Sequence, residues 1–183
     1  MYEVEAKVAL SKADLKRLKT EIPKIAKRTC QVNKKDSYYG DIKSHFFYLR
    51  TREKNGKPFL NLKSKKVEKG IEMNQEIKLP LTSMLKFHTL LKKLGIQLTA
   101  RKEKKGEIYK GEEVQIELNT IKGLGDFLEI EIIVQKKSDI PEAKKALRKW
   151  FKQLGFSPED FEKKYYLELL AEKRKNKSES WLK

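Results

Sequence analysis

Acidic side chains alternate with apolar ones in two segments near opposite ends of the chain. In YEVEAKVAL, an extended backbone turns Glu3, Glu5 and Lys7 to one face and the apolar residues to the other. In LEIEIIV, Glu129 and Glu131 alternate with apolar residues in the same way. Carboxylates grouped on a strand face suit hard divalent cations, which prefer oxygen ligands. These segments therefore favour a cation site.

Basic side chains alternate in the middle of the chain. YLRTRE places Arg50 and Arg52 on one face, and FLNLKSK adds Lys63. Arginine binds phosphate through paired donors and lysine binds it as a point charge. A sheet with one face in water explains any single strand of this kind. It explains less well why acids concentrate on the first and last strands and bases on the middle ones.

Composition and charge narrow the classes of partner. The chain has 183 residues, with 43 Lys+Arg against 26 Asp+Glu, and its formal net charge is +17. A field of this sign attracts polyanions such as nucleotides, polyphosphate or nucleic acid, without choosing among them.

Cys30 is the single cysteine, so an intrachain disulfide is excluded. With no long apolar run and no leader pattern, we expect a cytoplasmic protein without a membrane partner.

Eight strands and four helices are predicted from periodicity and turn signals. The strands are Tyr2 to Leu10, Thr29 to Tyr39, His45 to Glu53, Pro58 to Lys65, Glu72 to Leu79, Ile96 to Lys104, Ile108 to Asn119 and Phe127 to Gln135. The helices are Ser11 to Ile25, Thr82 to Leu94, Pro141 to Leu154 and Ser157 to Leu170. Asn55-Gly56 predicts a hairpin between the third and fourth strands. The fold class is α+β in one domain, residues 1–172, followed by a charged, flexible tail, 173–183.

If these strands close into a barrel, the charged faces turn inward and the apolar faces turn outward under the helices. Charged side chains inside a small barrel touch one another and need partners to stay ionised. A ligand would supply the balance. Magnesium bridging a triphosphate satisfies the acidic and the basic side chains together.

These residues resemble the CYTH superfamily, also called triphosphate tunnel metalloenzymes. The resemblance runs from EVEAK through LRTR, NLK and NQE to GLGDFLEIE and the YYLELL of the last helix. It implies a closed eight-stranded antiparallel barrel that holds a triphosphate and Mg²⁺ or Mn²⁺. The implied metal ligands are Glu3, Glu5, Glu129 and Glu131. The implied phosphate ligands are Lys7, Arg50, Arg52, Lys63, Lys102 and Lys104. Glu5, Lys7, Glu129 and Glu131 would act at the reacting groups, and Glu76 is a further inward acid.

Two positions depart from the family pattern. The family usually has an aspartate where this chain has Asn119, and Glu117 on the same face could compensate. The family also has a Lys-x-Arg before Tyr109, where this chain reads ARKEKKGEIY. Lys102 and Lys104 are the preferred match for it. The other register is Arg101 and Lys105, since a slip of one residue exchanges the two pairs.

The resemblance favours a class IV adenylyl cyclase-like reaction, from ATP to cyclic AMP and pyrophosphate. The alternative is an inorganic or organic triphosphatase acting on tripolyphosphate or thiamine triphosphate. A further alternative is a non-catalytic binder of polyphosphate or nucleotide, with nucleic acid disfavoured but not excluded. Cyclase-type relatives also imply a homodimer.

Overall fold

Alternating side chains build one antiparallel sheet with a charged face and an apolar face. The computed structural model describes residues 1–39, 47–64 and 66–179, without the side chains at 47, 48, 63 and 175–179. Its strands are β1 Tyr2–Leu10, β2 Lys27–Tyr39, β3 Phe47–Lys54, β4 Lys57–Ser64, β5 Lys66–Glu68, β6 Ile71–Asn74, β7 Glu76–Pro80, β8 Leu98–Lys110, β9 Gln115–Ile121 and β10 Gly125–Val134. Its helices are α1 Lys12–Ile25, α2 Met84–Lys93, α3 Ile140–Gln153 and α4 Tyr166–Glu179.

The sheet curls into a half-barrel. Its strand order is β5-β6-β1-β10-β9-β8-β2-β3-β4-β7, and the paired strands are antiparallel. The predicted closed eight-stranded barrel is not seen, because ten strands form within the described ranges and β5 and β7 are edges. The predicted strand Glu72 to Leu79 divides at Gln75 into β6 and β7. These two strands then lie in different halves of the sheet order.

The apolar face packs under helices, as the alternation predicts. Val4 and Val8 of β1 are fully buried in a core that also contains Ile22 of α1 and Leu147 and Phe151 of α3. Each such side chain contributes about 1.5–3 kcal/mol of burial free energy. The opposite, charged face of the same strands is thereby fixed toward the concave side of the sheet. In the part of the chain described above, no helix has the length and apolarity that a membrane crossing requires.

Several local signals are confirmed. Ser11 and Asp14 form the predicted capping box at the start of α1. Asn55 and Gly56 both have positive φ, 50° and 81°, as a two-residue hairpin turn between β3 and β4 requires. Gly95 follows α2 with φ 72°.

The predicted break between two strands near residues 105–107 is wrong. β8 continues to Lys110, and the turn to β9 comes at Gly111, whose N–H donates to the Val114 carbonyl over 3.0 Å. Gly106 is a close approach of two strands instead of a turn. A Cβ there would lie 2.1 Å from the carbonyl oxygen of Leu118.

The last predicted helix begins later than expected. Pro158–Asp160 forms a single 3₁₀ turn, after which Phe161 enters the core and forms a β-bridge with Val8. The N–H of Glu162 donates to the carbonyl of Lys7 over 2.8 Å. This backbone pairing interrupts the helix, so α4 starts only at Tyr166. α4 extends through most of the predicted tail, and residues 180–183 lie outside the described ranges.

Candidate active site

The concave face of the sheet encloses a charged cavity of about 370 Å³. Its wall is sorted by charge in the order of the strands. Acids line the side made by β6, β1, β10 and β9, namely Glu72, Glu3, Glu5, Glu129, Glu131 and Glu117. Bases line the side made by β8, β2 and β3, namely Lys102, Lys104, Lys34, Arg50, Arg52 and Lys54. Lys7 is a base within the acidic wall, and Glu76 and Lys78 come from β7.

Three carboxylates form a row across the acidic wall. Glu5 of β1 lies directly opposite Glu72 of β6 on one side and Glu131 of β10 on the other. Like charges placed opposite one another in a sheet are destabilising. Asn74 donates to the Glu5 carboxylate over 3.2 Å, and Gln115 donates to that of Glu131 over 3.4 Å. The row concentrates negative charge at one place in the cavity.

Asp36 contacts several of the basic side chains on the opposite side of the cavity. Arg52 donates to both of its carboxylate oxygens, over 2.7 and 2.9 Å, and Lys102 lies 3.2 Å away. Burial opposes ionisation of Asp36, but Arg52, Lys102 and Arg50 outweigh it and hold its pKa well below the usual range. The same carboxylate raises the pKa of Arg52 against its own burial. This acid is therefore ionised among cations.

Lysines join the two walls. The Lys104 ammonium lies 2.8 Å from Glu117 and 2.6 Å from Glu129, while Lys34 lies 3.0 Å from Glu117. Lys104 is buried, yet Glu117 and Glu129 raise its pKa above the ordinary value. Burial lowers the pKa of Lys34 to about 8, and repulsion by Lys104 adds to this effect.

Lys7 makes the corresponding contact within the acidic wall. Its ammonium lies 2.5 Å from the carboxylate of Glu72 and is buried. The rings of Tyr165 and Tyr166 lie 5.7 and 5.3 Å from the same ammonium. Burial of so many charges is costly unless each is paired. Lys7, Lys34 and Lys104 are each paired with a carboxylate of the acidic wall.

The start of α4 covers one end of the cavity. The Tyr166 hydroxyl donates to Glu129 over 2.5 Å, and its ring packs edge-on against Phe127. Burial, followed by the charge of Glu129, raises the pKa of Tyr166 well above the usual value. Tyr166 therefore stays a hydrogen-bond donor to this carboxylate.

Ion pairs also cross between the two sides of the sheet. Lys78 of β7 lies 2.7 Å from Glu76 of its own strand and 3.6 Å from Glu3 of β1. Asn61 donates to Glu76, and within the described residues the buried amide oxygens of Asn61 and Asn74 have no hydrogen-bond partner. Such buried acceptors are costly unless a ligand or water supplies a donor or cation.

Eleven of the predicted site residues line this cavity. They are Glu3, Glu5, Lys7, Arg50, Arg52, Glu76, Lys102, Lys104, Glu117, Glu129 and Glu131. Asn119 is 2% exposed and donates to Glu117 over 3.1 Å from behind the cavity lining. The backbone of Lys63 lies opposite Glu76, and its side chain is outside the described residues.

The register of β8 is resolved. Lys102 and Lys104 are buried against the cavity, whereas Arg101 and Lys105 are exposed on the other face. The backbone pairs Lys104 with Lys34, and Lys102 with Asp36. Lys102 and Lys104 therefore share the face that lines the cavity, and their match to the family's Lys-x-Arg stays a prediction.

Several cavity residues are absent from the sequence prediction. β2 supplies Lys34 and Tyr38, and β6 supplies Glu72. Asp36 of β2 lies behind this lining, buried against Arg52 and Lys102. The alternation of Lys34, Asp36 and Tyr38 within the predicted second strand was the available signal. It mixes an acid, a base and an aromatic ring, so it resembles an ordinary solvated face. Tyr166 carried no comparable signal, because its position depends on the break before α4.

The carboxylates have the right chemistry for a divalent cation but are not gathered around one point. In the described part of the chain, no three histidine, cysteine, aspartate or glutamate side chains form a group that could hold a metal ion. Glu72, Glu5 and Glu131 nevertheless occupy matched positions of adjacent strands on the face that lines the cavity. The donors therefore fit a hard cation by type and register, since a bound cation would offset their mutual repulsion.

A curled antiparallel sheet around a charge-sorted cavity defines the class of this protein. The chain belongs to the CYTH domain family, which matches residues 1–166. The resemblance inferred from the sequence is thus confirmed.

Named relatives agree with this assignment. A Methanocaldococcus jannaschii protein, "Putative adenylate cyclase MJ0240", is 32% identical over 178 residues, covering 92% of this chain and 98% of the relative. The solved PH1012 protein of Pyrococcus horikoshii OT3 has a TM-score of 0.79 at 29% identity, covering 92% of this chain and 99% of that one. HpAC1 of Hippeastrum, described as having a dominant triphosphatase activity, shares the fold at 17% identity and a TM-score of 0.65, covering 93% and 95%.

Proposed function

We propose that this protein is a metal-dependent enzyme that binds a triphosphate in the cavity, with an adenylyl cyclase-like reaction as its main activity. The observation that carries the proposal is the sorting of the cavity wall into an acidic half and a basic half. A polyanion with its cation complements both halves, whereas a bare anion complements only one.

The acidic wall would hold the cation. We assign Glu3, Glu5, Glu129 and Glu131 as ligands of Mg²⁺ or Mn²⁺. When bound, the ion supplies neutralisation of phosphate charge and favours ionisation of an attacking hydroxyl or water. Glu129 would exchange its contact with Lys104 for this role, and Tyr166 would keep the carboxylate oriented. A bound cation would offset the repulsion between the carboxylates of Glu5 and Glu131.

The basic side chains would hold the phosphates. Lys7, Arg50, Arg52, Lys63, Lys102 and Lys104 are the proposed ligands. Lys104 lies where the two walls meet and Lys7 lies within the acidic wall, so both can stabilise charge on a phosphate that also faces the acids. Phosphoryl and nucleotidyl transfer depend mainly on alignment and charge neutralisation, which such a wall can supply. In the cyclase reaction the ribose 3′ hydroxyl attacks the α-phosphorus, and pyrophosphate leaves while held by the basic wall.

Apolar residues favour a nucleotide over a bare polyphosphate. Phe59 lies opposite Arg52 and lines the cavity, and Ile133 of β10 lines it while 49% exposed. An aromatic ring beside a phosphate site can stack on a base. A triphosphatase is the second candidate, supported by the activity given for the Hippeastrum relative. A non-catalytic binder would have no need of the carboxylate row.

One assay decides between the reactions. Purified protein is incubated with Mg²⁺ or Mn²⁺ and either ATP or tripolyphosphate, and the products are separated. Cyclic AMP with pyrophosphate supports the cyclase, and orthophosphate supports the triphosphatase. Binding of both compounds without any product, and without a metal requirement, would leave only the binder.

A further inference from the structure

Asp36 is a buried acid at the centre of the basic wall. It is 2% exposed, and its neighbours on both adjacent strands are bases, Arg52 of β3 and Lys102 of β8. Arg50 lies 3.8 Å away, and the Tyr38 hydroxyl donates to Asp36 over 3.3 Å. Three cations of the proposed phosphate site thus share one carboxylate.

The contact with Arg52 fixes the orientation of the guanidinium. Nε donates to Oδ1 over 2.7 Å and Nη2 donates to Oδ2 over 2.9 Å, so one edge of the guanidinium plane is held at two points. A two-point contact restrains rotation as well as position. Among the described residues, the hydrogen bonds of Arg52 use this edge, so the donors of the other edge can bind a ligand. Without the carboxylate, three neighbouring cations would repel one another and spread apart.

We propose that Asp36 is a positioning residue, which holds Arg52 and Lys102 at the spacing that the reacting phosphates require. The proposal rests on the proposed function, since it assigns these bases to phosphate. Asp36 itself carries the same charge as the substrate, so direct contact with phosphate would be unfavourable. Its effect is on alignment, and a misplacement of about 1 Å can cost about 100-fold in rate.

Asp36→Asn tests this role because it keeps the shape and removes the charge. We expect kcat to fall about 10- to 100-fold, while KM for the triphosphate stays the same or falls, because the wall gains net positive charge. Arg52→Ala, which removes a proposed phosphate ligand, should instead raise KM. Tyr38→Phe removes one donor to Asp36 without changing charge, and it should lower kcat by a smaller factor. The double variant should be no worse than Asp36→Asn alone, because both act through one carboxylate.

A structural readout separates positioning from simple loss of stability. The Arg52 Nε–H resonance should exchange slowly with solvent in the wild type and rapidly in Asp36→Asn. If Asp36→Asn fails to fold, the Tyr38→Phe kinetics carry the test. A kcat within twofold of wild type in the folded Asp36→Asn variant, or a fall in Tm without change in kcat per folded molecule, overturns the inference. A wild-type protein that binds neither ATP nor tripolyphosphate overturns the proposed function, and this inference with it.

Discussion

Glu5 and Glu131 lie directly opposite each other on β1 and β10, with both side chains facing the cavity. Two carboxylates at this separation repel, and Glu72 on the far side of Glu5 adds to the repulsion. The fold tolerates these neighbouring carboxylates because Lys7, two residues after Glu5 on β1, forms an ion pair with Glu72. The row of carboxylates therefore lowers the folding stability and concentrates negative charge on one side of the cavity.

Replacing one of these carboxylates should affect metal binding and folding stability in opposite directions. Glu131→Gln removes a like charge, so we expect the metal-free Tm to stay the same or rise, while stabilisation by added Mn²⁺ and metal-dependent turnover are lost. Thermal unfolding with and without Mn²⁺ measures both effects. Glu142→Gln is the control, since Glu142 is an exposed α3 residue that pairs with Lys145. Full activity and full Mn²⁺ stabilisation in Glu131→Gln would show that the carboxylate row is not a metal site.

Lysine and arginine variants on the two faces of β8 can be compared with each other, because one face lines the cavity and the other is exposed. Lys102→Ala and Lys104→Ala remove cavity cations, and each should weaken tripolyphosphate binding about 10- to 100-fold, the effect of losing one charge-assisted contact. Arg101→Ala and Lys105→Ala remove the same charge from the exposed face of the strand and should change binding less than twofold. Isothermal titration at one fixed salt concentration gives the comparison. Equal losses on both faces would indicate attraction by the overall +17 charge instead of a cavity site.

Phe59 should discriminate between nucleotide and polyphosphate. Phe59→Ala removes a ring that could stack on a base, so we expect kcat/KM for ATP to fall about tenfold with little change for tripolyphosphate. The ratio of the two values is the readout, because general damage to the site lowers both. Ile77→Ala is the control, since Ile77 is 58% exposed on β7 and is absent from the cavity lining. An unchanged ratio would remove the support that Phe59 gives to the cyclase reaction.

Lys34 should give the folded protein a distinctive alkaline response. Its pKa is lowered from 10.5 to about 8 by burial and by Lys104. Between these values the unfolded chain holds a proton at Lys34 that the folded chain has lost, so the free energy of unfolding should rise with pH. The rise should be on the order of 2 kcal/mol between pH 8 and 10.

Urea unfolding at pH 8, 9 and 10 measures this slope. Lys34→Met should abolish it. Lys35→Met should retain it, because Lys35 is the exposed neighbour on the same strand, with its side chain 59% exposed. The same slope in both variants would mean that other groups produce the alkaline response.

Most of the site residues could be predicted from the sequence, because side chains of a strand alternate between its two faces. Glu3, Glu5 and Lys7 could be placed together on this basis, and so could Glu129 and Glu131. The pattern could not supply the register between strands, and register is what sets Glu5 opposite Glu131 and Asp36 opposite Arg52. These pairs join residues far apart in sequence, so they depend on the packed sheet.

Two failures of prediction have a common physical cause. The predictions were a break between two strands at residues 105–107, where Gly106 lies, and a helix that begins at Ser157. At both places, tertiary contacts determined the structure in place of the local sequence preference. β9 needs the space beside Gly106, and Phe161 is more stable in the core than on an exposed helix. The resulting late start of α4 puts Tyr166 against Glu129, which no local signal could predict.

A single residue between β6 and β7 links strands that lie near the two ends of the sheet order. Gln75 links a strand that pairs with β1 to a strand that pairs with β4. Consecutive Cα atoms lie only about 3.8 Å apart, so the two steps from Asn74 to Glu76 keep β6 and β7 close together at that point. If the cavity binds a triphosphate as proposed, this link would favour entry and exit along the length of the cavity over entry between these two strands.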